Sequence, residues 1–412
     1  MTTTNPLPLT ETLAPGDIDA LVDVVRDCCA SQTPLYPIGG ATALDYGRTP
    51  QQPGIGLSLS GLNRVVDYPA SDMTITVEPG ITMGQLRETL AGERQELPID
   101  VPQSDKATIG GVVATALAGP RCYGLGTIRD NVIGISAVDG RGTPFKGGGR
   151  VVKNVAGYDF CKLLTGSLGS LGVIVQLTLR LRPIPEKSAL VVCDVSDSEM
   201  AERILAALVN SGTTPVAIEL LAGPAWQNDP VLGDLSGGAA GRIAVGVSGT
   251  ATEVDWMIEQ LQREWNQQHV TGVRAISDAP ADELWSRIVE FPAADAPLVI
   301  QSSVRPSDVT GLVEECRGAD EACSVVSHAG SGIILARFAE VPNDDVARLI
   351  NNTLRPAAVT ADGSLVVLST NLGNQTHQTI WGGRTDATVV MESVRRQFDP
   401  QRLLNPGRFF RD

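Results

Sequence analysis

The chain has 412 residues, 42% hydrophobic and 19% charged, a globular composition long enough for two domains with a core in each. Forty-seven acidic against 32 basic residues leave a net charge of −15, which argues against nucleic acid or an anionic membrane surface as the main partner. The apolar runs, such as 110–119, fall short of the roughly 18 residues that a membrane span needs; the N-terminal MTTTNPLPLT lacks the basic start and apolar stretch of a secretory signal, so a cytoplasmic location is expected.

In chain order, Ile18, Leu21, Val22 and Val25 set a helical period that Cys28 and Cys29 extend, so these thiols read as part of a buried helix face. Strands are predicted at 35–38, 56–59, 64–68 and 73–78, the last with Thr74, Thr76 and Glu78 alternating with apolar neighbours. Thr82 and Gln85 have the spacing of a capping box that opens a helix at about 82–91. A strand at 172–183 alternates Val173, Val175, Leu177, Leu179 and Leu181 with polar residues until Pro183 and Pro185 stop it. The first domain boundary is placed there, at 185, with a second domain over 186–392 and a tail, 393–412, returning to the first.

Beyond 185 strands and helices alternate: strand 189–195, helix 198–211, strands 215–221 and 241–249, helix 251–267, then strand 297–304, helix 307–317, strands 322–327 and 332–338, helix 343–353 and strand 365–369. Both runs follow the order β-α-β-β-α, which predicts ferredoxin-like units sharing a mainly antiparallel sheet, an α+β domain. The stretches 222–240 and 371–385, rich in Gly, Asn and Asp, read as rim loops.

Fifteen of the 43 glycines lie between Gly110 and Gly172, so the candidate ligand-binding segments are sought there and in IGGATALDYG at 38–47. That earlier loop follows a strand, and its small residues let backbone N–H groups converge on one point, as a phosphate oxygen requires; taken alone it also reads as a tight turn. It does not open a helix in a βαβ unit, so it is not a Rossmann fingerprint, and no Gly precedes a Lys-Ser or Lys-Thr pair as in a P-loop. ATIGGVVATALAGPRCYGLGTIRDNVIG at 107–134 places Thr108, Gly110 and Gly111 ahead of a short apolar helix, whose N–H groups are expected to face an anion. Two such loops can grip a pyrophosphate from both sides. In KNVAGYDFCKLLTGSLGSLGVIV, 153–175, Gly166, Gly169 and Gly172 permit close approach to a flat ligand.

These segments resemble the FAD-binding domain of the vanillyl-alcohol oxidase or PCMH type, and within it the FAD-binding E subunits of bacterial glycolate oxidases. The resemblance is carried by VEPGITMGQL, ATIGGVVATALAGPR, GTIRDNVIG, KNVAGYDFCKLLTGSLGSLGVI and, in the tail, FDPQRLLNPGRFF. It implies a PCMH-type domain followed by an α+β cap domain. It further implies that Ile38, Gly39, Gly40, Ala41, Thr42 and Ala43 form one pyrophosphate loop and Thr108, Gly110, Gly111, Ala114 and Thr115 the other. Gly124, Thr127 and Ile174 would lie beside the ribityl, adenine or ring portions, with Asn405 where the tail returns to the flavin domain. Many members link the flavin through a His in the first loop; here Ala41 and Thr42 stand there and no His precedes His269, so non-covalent FAD is expected.

Oxidation of a 2-hydroxy acid needs a base for the hydroxyl proton and a cation for the carboxylate. His328 and His377 are the candidate catalytic residues, although an ordinary loop or strand-end His is the plainer reading of each; Lys153, Tyr158 and Asp159 are further polar candidates, or simply loop anchors. HAGSG at 328–332 does not reproduce the metal-binding His pair of the catalytic relatives, and no metal site is expected. Seven cysteines without a CxxC pair do not suit a cluster, so electrons would pass to a partner. The resemblance therefore implies a glycolate oxidase subunit acting with a larger flavoprotein subunit and an iron–sulfur subunit, peripheral to the membrane through them if at all. A free-standing FAD-linked dehydrogenase and a non-catalytic flavin-carrying scaffold stay open beside it.

Overall fold

In the computed structural model, residues 7–150, 157–235, 239–341, 345–371 and 375–409 are described. They form two compact units, one of the described residues within 1–118, 126–184 and 383–412, the other of those within 119–125 and 185–382.

The first unit holds two sheets. Leu35–Ile38 and Leu9–Leu13 flank Gly54–Ser58 in a small parallel sheet, covered by the helix Ile18–Ser31 through Leu21, Val22, Val25 and Cys28. The second sheet is antiparallel, in the order Val65–Asp67, Thr74–Val77, Val173–Arg180, Val132–Val138, Pro144–Gly148. The Thr82–Gln85 capping box forms and starts the helix Met83–Ala91. Thr74, Thr76 and Glu78, which alternate with apolar neighbours, are all buried. Thr76 is paired with Thr178, and Glu78 accepts from the backbone and guanidinium of Arg64, which holds its carboxyl below the usual range against the opposing effect of burial. The helix Asp386–Phe398 belongs to this unit, where Phe398 packs on Phe145 and Phe160.

The second unit is built on one eight-stranded antiparallel sheet, in the order Arg274–Ser277, Lys187–Val195, Gly241–Gly249, Ala217–Ala222, Ser324–His328, Ile333–Phe338, Leu298–Ser303, Ser364–Thr370. Its two halves meet where Ala217–Ala222 pairs with Ser324–His328. Helices Ser198–Leu208, Ala251–Gln267 and Val309–Ala319 bury one face around Ile204, Leu261, Trp265 and Leu312. Residues 274–290, for which no element is predicted from the sequence, form an edge strand and the helix Asp278–Glu290. The helix predicted to end at 353 runs on to Thr360 through a π-helical turn, Leu349–Leu354. That wider turn accommodates Pro356, which has no N–H to give to the helix ladder. Among the described residues no helix is long and apolar enough to cross a membrane.

Candidate functional site

Strand Leu35–Ile38 delivers the first loop, and the backbone bond from Leu59 to the Ile38 carbonyl ends its ladder. From Gly39 to Ala43 no backbone N–H donates a hydrogen bond among the described residues, and Ala41 takes a left-handed φ of 57°. Consecutive unspent N–H groups around such a reversal make a concave anion site. The loop is packed closely against the second: a Cβ at Gly39 would lie 2.2 Å from Thr108 Oγ1, and one at Gly40 only 1.7 Å from the Lys106 carbonyl oxygen. Glycine is required at both for steric reasons.

The second loop differs from expectation. The helix Ile109–Thr115 does follow Thr108, but its first N–H groups are spent inside the chain. Ile109 donates to the Ile81 carbonyl at 3.0 Å, Gly110 to that of Pro79 at 2.9 Å, and Gly111 to Thr108 Oγ1 at 3.4 Å. The PGIT turn at 79–82 is thus a third wall, legible only as part of a longer matching stretch. Gly110 is buried against Pro79, whereas a Cβ at Gly111 would meet only Thr108 Oγ1, at 3.4 Å; Gly111 is the residue whose side open to a ligand is kept clear.

The far end of that helix meets the Gly-rich segment 166–169. Gly166 and Leu168 donate to the carbonyls of Val113 and Ala114, while the Thr115 hydroxyl bonds back to Gly111. Asn405 joins the pieces, its Nδ2 donating to the Leu168 carbonyl at 2.7 Å and its backbone N–H to that of Leu35 at 3.0 Å. Arg408, three residues on, gives Nη1 to the Tyr46 carbonyl at 2.5 Å, and burial lowers its pKa to about 10. It supplies positive charge at the end of the first loop and was not singled out in the sequence, although it stands in the NPGR of the tail. Loops 38–43 and 108–115 and Asn405 are therefore brought together, and the unspent N–H groups, the open side of Gly111 and the nearby cation suit the pyrophosphate of FAD.

Three other residues of the sequence reading have partners of their own. Gly124 belongs to the second unit, where its N–H bonds the Val216 carbonyl and its Cα lies against Pro215 and Val216. Thr127 spends its hydroxyl and N–H on Asp130, capping its own short helix and holding that carboxyl below the usual range. Ile174 is a core residue of the antiparallel sheet, opposite Ala137. Lys153 lies outside the described residues, Tyr158 is 84% exposed, and Asp159 caps the helix Phe160–Leu164.

In the second unit, His328 ends its strand directly opposite Glu219, with Nδ1 2.7 Å from Glu219 Oε2 and both side chains buried. The carboxylate partner was missed in the sequence; its signal was a lone acid inside the apolar strand AIELLA. His377 opens a one-turn helix and is half-buried, and its Nδ1 is 3.2 Å from the Gly382 carbonyl oxygen. Arg355 pins this segment, donating to the carbonyls of Gln378 and Thr379. Among the described residues no group of three or more His, Cys, Asp or Glu is arranged to hold a metal ion.

Comparison with known proteins places this geometry. Residues 11–148 match the family model described as the FAD binding domain. The chain is 26% identical to the mitochondrial D-lactate dehydrogenase [cytochrome] of Arabidopsis thaliana, covering 96% of this chain and 72% of that protein. It is 27% identical to the D-2-hydroxyglutarate dehydrogenase of Xanthomonas citri pv. viticola, over 99% of this chain and 90% of the relative. Glycolate oxidase subunit GlcE of Escherichia coli K12 is 34% identical, over 47% of this chain and 56% of GlcE. Among solved structures, substrate-bound p-cresol methylhydroxylase superposes with a TM-score of 0.76 at 15% identity, covering 97% of this chain and 88% of its own. With an FAD binding domain at 11–148 and dehydrogenase relatives aligned over nearly its whole length, the chain is an FAD-dependent oxidoreductase on the PCMH-type FAD-binding fold.

Proposed function

We propose that this chain oxidises a small 2-hydroxy acid at a non-covalently bound FAD, as the E-type subunit of a glycolate oxidase assembly. The observation that carries the reading is the junction of loops 39–43 and 106–111, with its row of unspent N–H groups. Bound there, FAD would supply the two-electron acceptor. Gly39 to Ala43 would hold the pyrophosphate by backbone N–H groups, Thr108 would set the angle between the loops, and Ala114 and Thr115 would line the same side. No histidine precedes residue 269, so the first loop offers no imidazole for a covalent link. In the second unit His328 is the proposed base for the substrate hydroxyl, and His377 a polar wall.

Identity to GlcE favours glycolate as substrate and a larger flavoprotein subunit with an iron–sulfur subunit as partners, and the absence of any CxxC pair among the seven cysteines leaves onward electron transfer to such a partner. A second reading, a free-standing dehydrogenase of a larger D-2-hydroxy acid, is favoured by one observation: the D-2-hydroxyglutarate dehydrogenase aligns over nearly the whole chain, GlcE over about half. Loss of flavin absorbance on anaerobic addition of glycolate, D-lactate or D-2-hydroxyglutarate separates the two. Bleaching by glycolate only once the partner subunits are added supports the first; bleaching of the isolated chain by D-2-hydroxyglutarate supports the second. A purified chain that takes up no FAD overturns both.

A further inference from the structure

Glu219 is fully buried in the middle of the sheet, on the face that also carries Arg242 and Asp194, and a carboxylate buried there is costly unless it is paired. Its partner is settled by register: Glu219 and His328 are direct cross-strand neighbours, 0% and 2% exposed, joined at 2.7 Å through Oε2 and Nδ1. As an ionised carboxylate Glu219 would only accept, which would place the hydrogen on Nδ1 and leave Nε2 as the basic nitrogen of the ring.

We infer that Glu219 is a positioning residue that fixes the proton-exchanging form of His328. The inference rests on the reading above that His328 removes the hydroxyl proton of a 2-hydroxy acid. In that step the substrate O–H bond breaks, an N–H bond forms at Nε2, and the imidazolium so produced is balanced by the Glu219 carboxylate. The Cα–H bond breaks in the same oxidation, its hydrogen leaving with the bonding electron pair, and FAD, when bound, would supply the two-electron acceptor.

The turn after His328 is held for such a role. Tyr123 lies with its ring against Gly330, where a Cβ would come within 2.6 Å of it, and Cys122 Sγ is 3.3 Å from Ser331 Oγ. Ser327 donates to the Ile333 carbonyl at 3.0 Å, closing the hairpin. The charged groups on the pair's own face of the sheet are Arg242, which lies opposite Leu221, two residues along from Glu219, and Asp194 opposite Arg242. Cys122 and Tyr123 lie on the segment over the turn, whereas Cys316 and Cys323 belong to the helix-covered face. Glu219 is the acid placed on the ring. The other buried cross-strand ion pair of this sheet makes a contrast. Arg242 bonds Asp194 at 3.0 Å but spends its remaining N–H groups on the carbonyls of Trp226, Leu232 and Gly233, fastening the 223–235 excursion. The Arg242 guanidinium is used up in holding structure, whereas an imidazole can exchange a proton.

The chain has only three histidines, so imidazole nitrogen resonances of the ¹⁵N-His-labelled, FAD-loaded protein are assignable with His269→Gln, His328→Gln and His377→Gln. The expected result is His328 with its hydrogen on Nδ1, moving to Nε2 in Glu219→Leu. An Nε2–H tautomer in the unaltered protein, or no change in Glu219→Leu, overturns the inference whatever the substrate proves to be. In the preparation that turns over, Glu219→Gln, which keeps an acceptor but loses the charge, should lower kcat at least tenfold with KM changed less than threefold. A loss confined to KM, or no loss, also overturns it. Failure of the unaltered protein's flavin to bleach with any 2-hydroxy acid instead overturns the functional reading, and the tautomer measurement still decides the pair.

Discussion

The two glycine-rich loops of the first unit carry similar sequence signals and use them in opposite ways. In 39–43 the backbone N–H groups are unspent and the glycines are needed because the Thr108 side chain lies against Gly39 and the backbone of Lys106 against Gly40; in 108–111 the N–H groups are already bonded to Ile81, Pro79 and Thr108. One loop offers donors and the other gives it shape. A run of Gly and Ala announces close approach of backbone, but what approaches, ligand or chain, depends on where the neighbouring segment runs.

Substitutions can break this contrast. The largest effect is expected from Gly40→Val, which drives a side chain into the Lys106 carbonyl: the loops must separate, and the purified protein should lose its flavin spectrum entirely. An unchanged FAD content would show that the loops need not touch. Gly110→Ala presses on Pro79 and should lower stability by about 1–3 kcal/mol, as overpacking does, seen as a lower denaturation midpoint in the apoprotein. Gly111→Val is the opposite case. Its side faces little of the chain, so the apoprotein midpoint should shift by less than about 1 kcal/mol, the scale of helix propensities, while the FAD dissociation constant rises at least tenfold. A shifted midpoint with normal affinity would make Gly111 a packing residue like Gly110.

The smallest effect concerns Thr127. Because Thr127 caps the helix through Asp130, Thr127→Val should weaken that cap by about 1 kcal/mol and leave FAD affinity unchanged; a loss of affinity would return Thr127 to the flavin. The cap also has a pH signature. The Asp130 carboxyl is held below its ordinary value, chiefly by the Thr127 N–H, so its contribution is present above the unfolded-chain pKa and is lost as pH falls through the folded one. Asp130→Asn should remove that part of the acid sensitivity of unfolding.

Much of the secondary structure was legible. The helix Ala251–Gln267 and the strand Gly241–Gly249 lie where periodicity predicts them, and Thr82 with Gln85 makes the capping box that its spacing implies. Local pattern succeeds there because the apolar residues of each element face a single core. It does not tell that Thr76 and Glu78 are buried, because the partners that satisfy them, Thr178 and Arg64, cannot be inferred from the strand itself. It also stopped a helix before Pro356, since a π turn that removes the conflict leaves no local mark.

The sequence by itself determined the composition of the site: two small-residue loops behind strands, a first loop without histidine, and a tail bearing Asn405 and Arg408. Only the tertiary structure decided what these residues do, because hydrogen-bond partners and steric neighbours come from distant segments. Gly111 is left open while Gly110 is walled in by Pro79, Asn405 reaches Leu168, Thr127 is spent on a cap, and His328 acquires a carboxylate 109 residues away in the chain. Side-chain type sets which bonds are possible; strand register sets which are made.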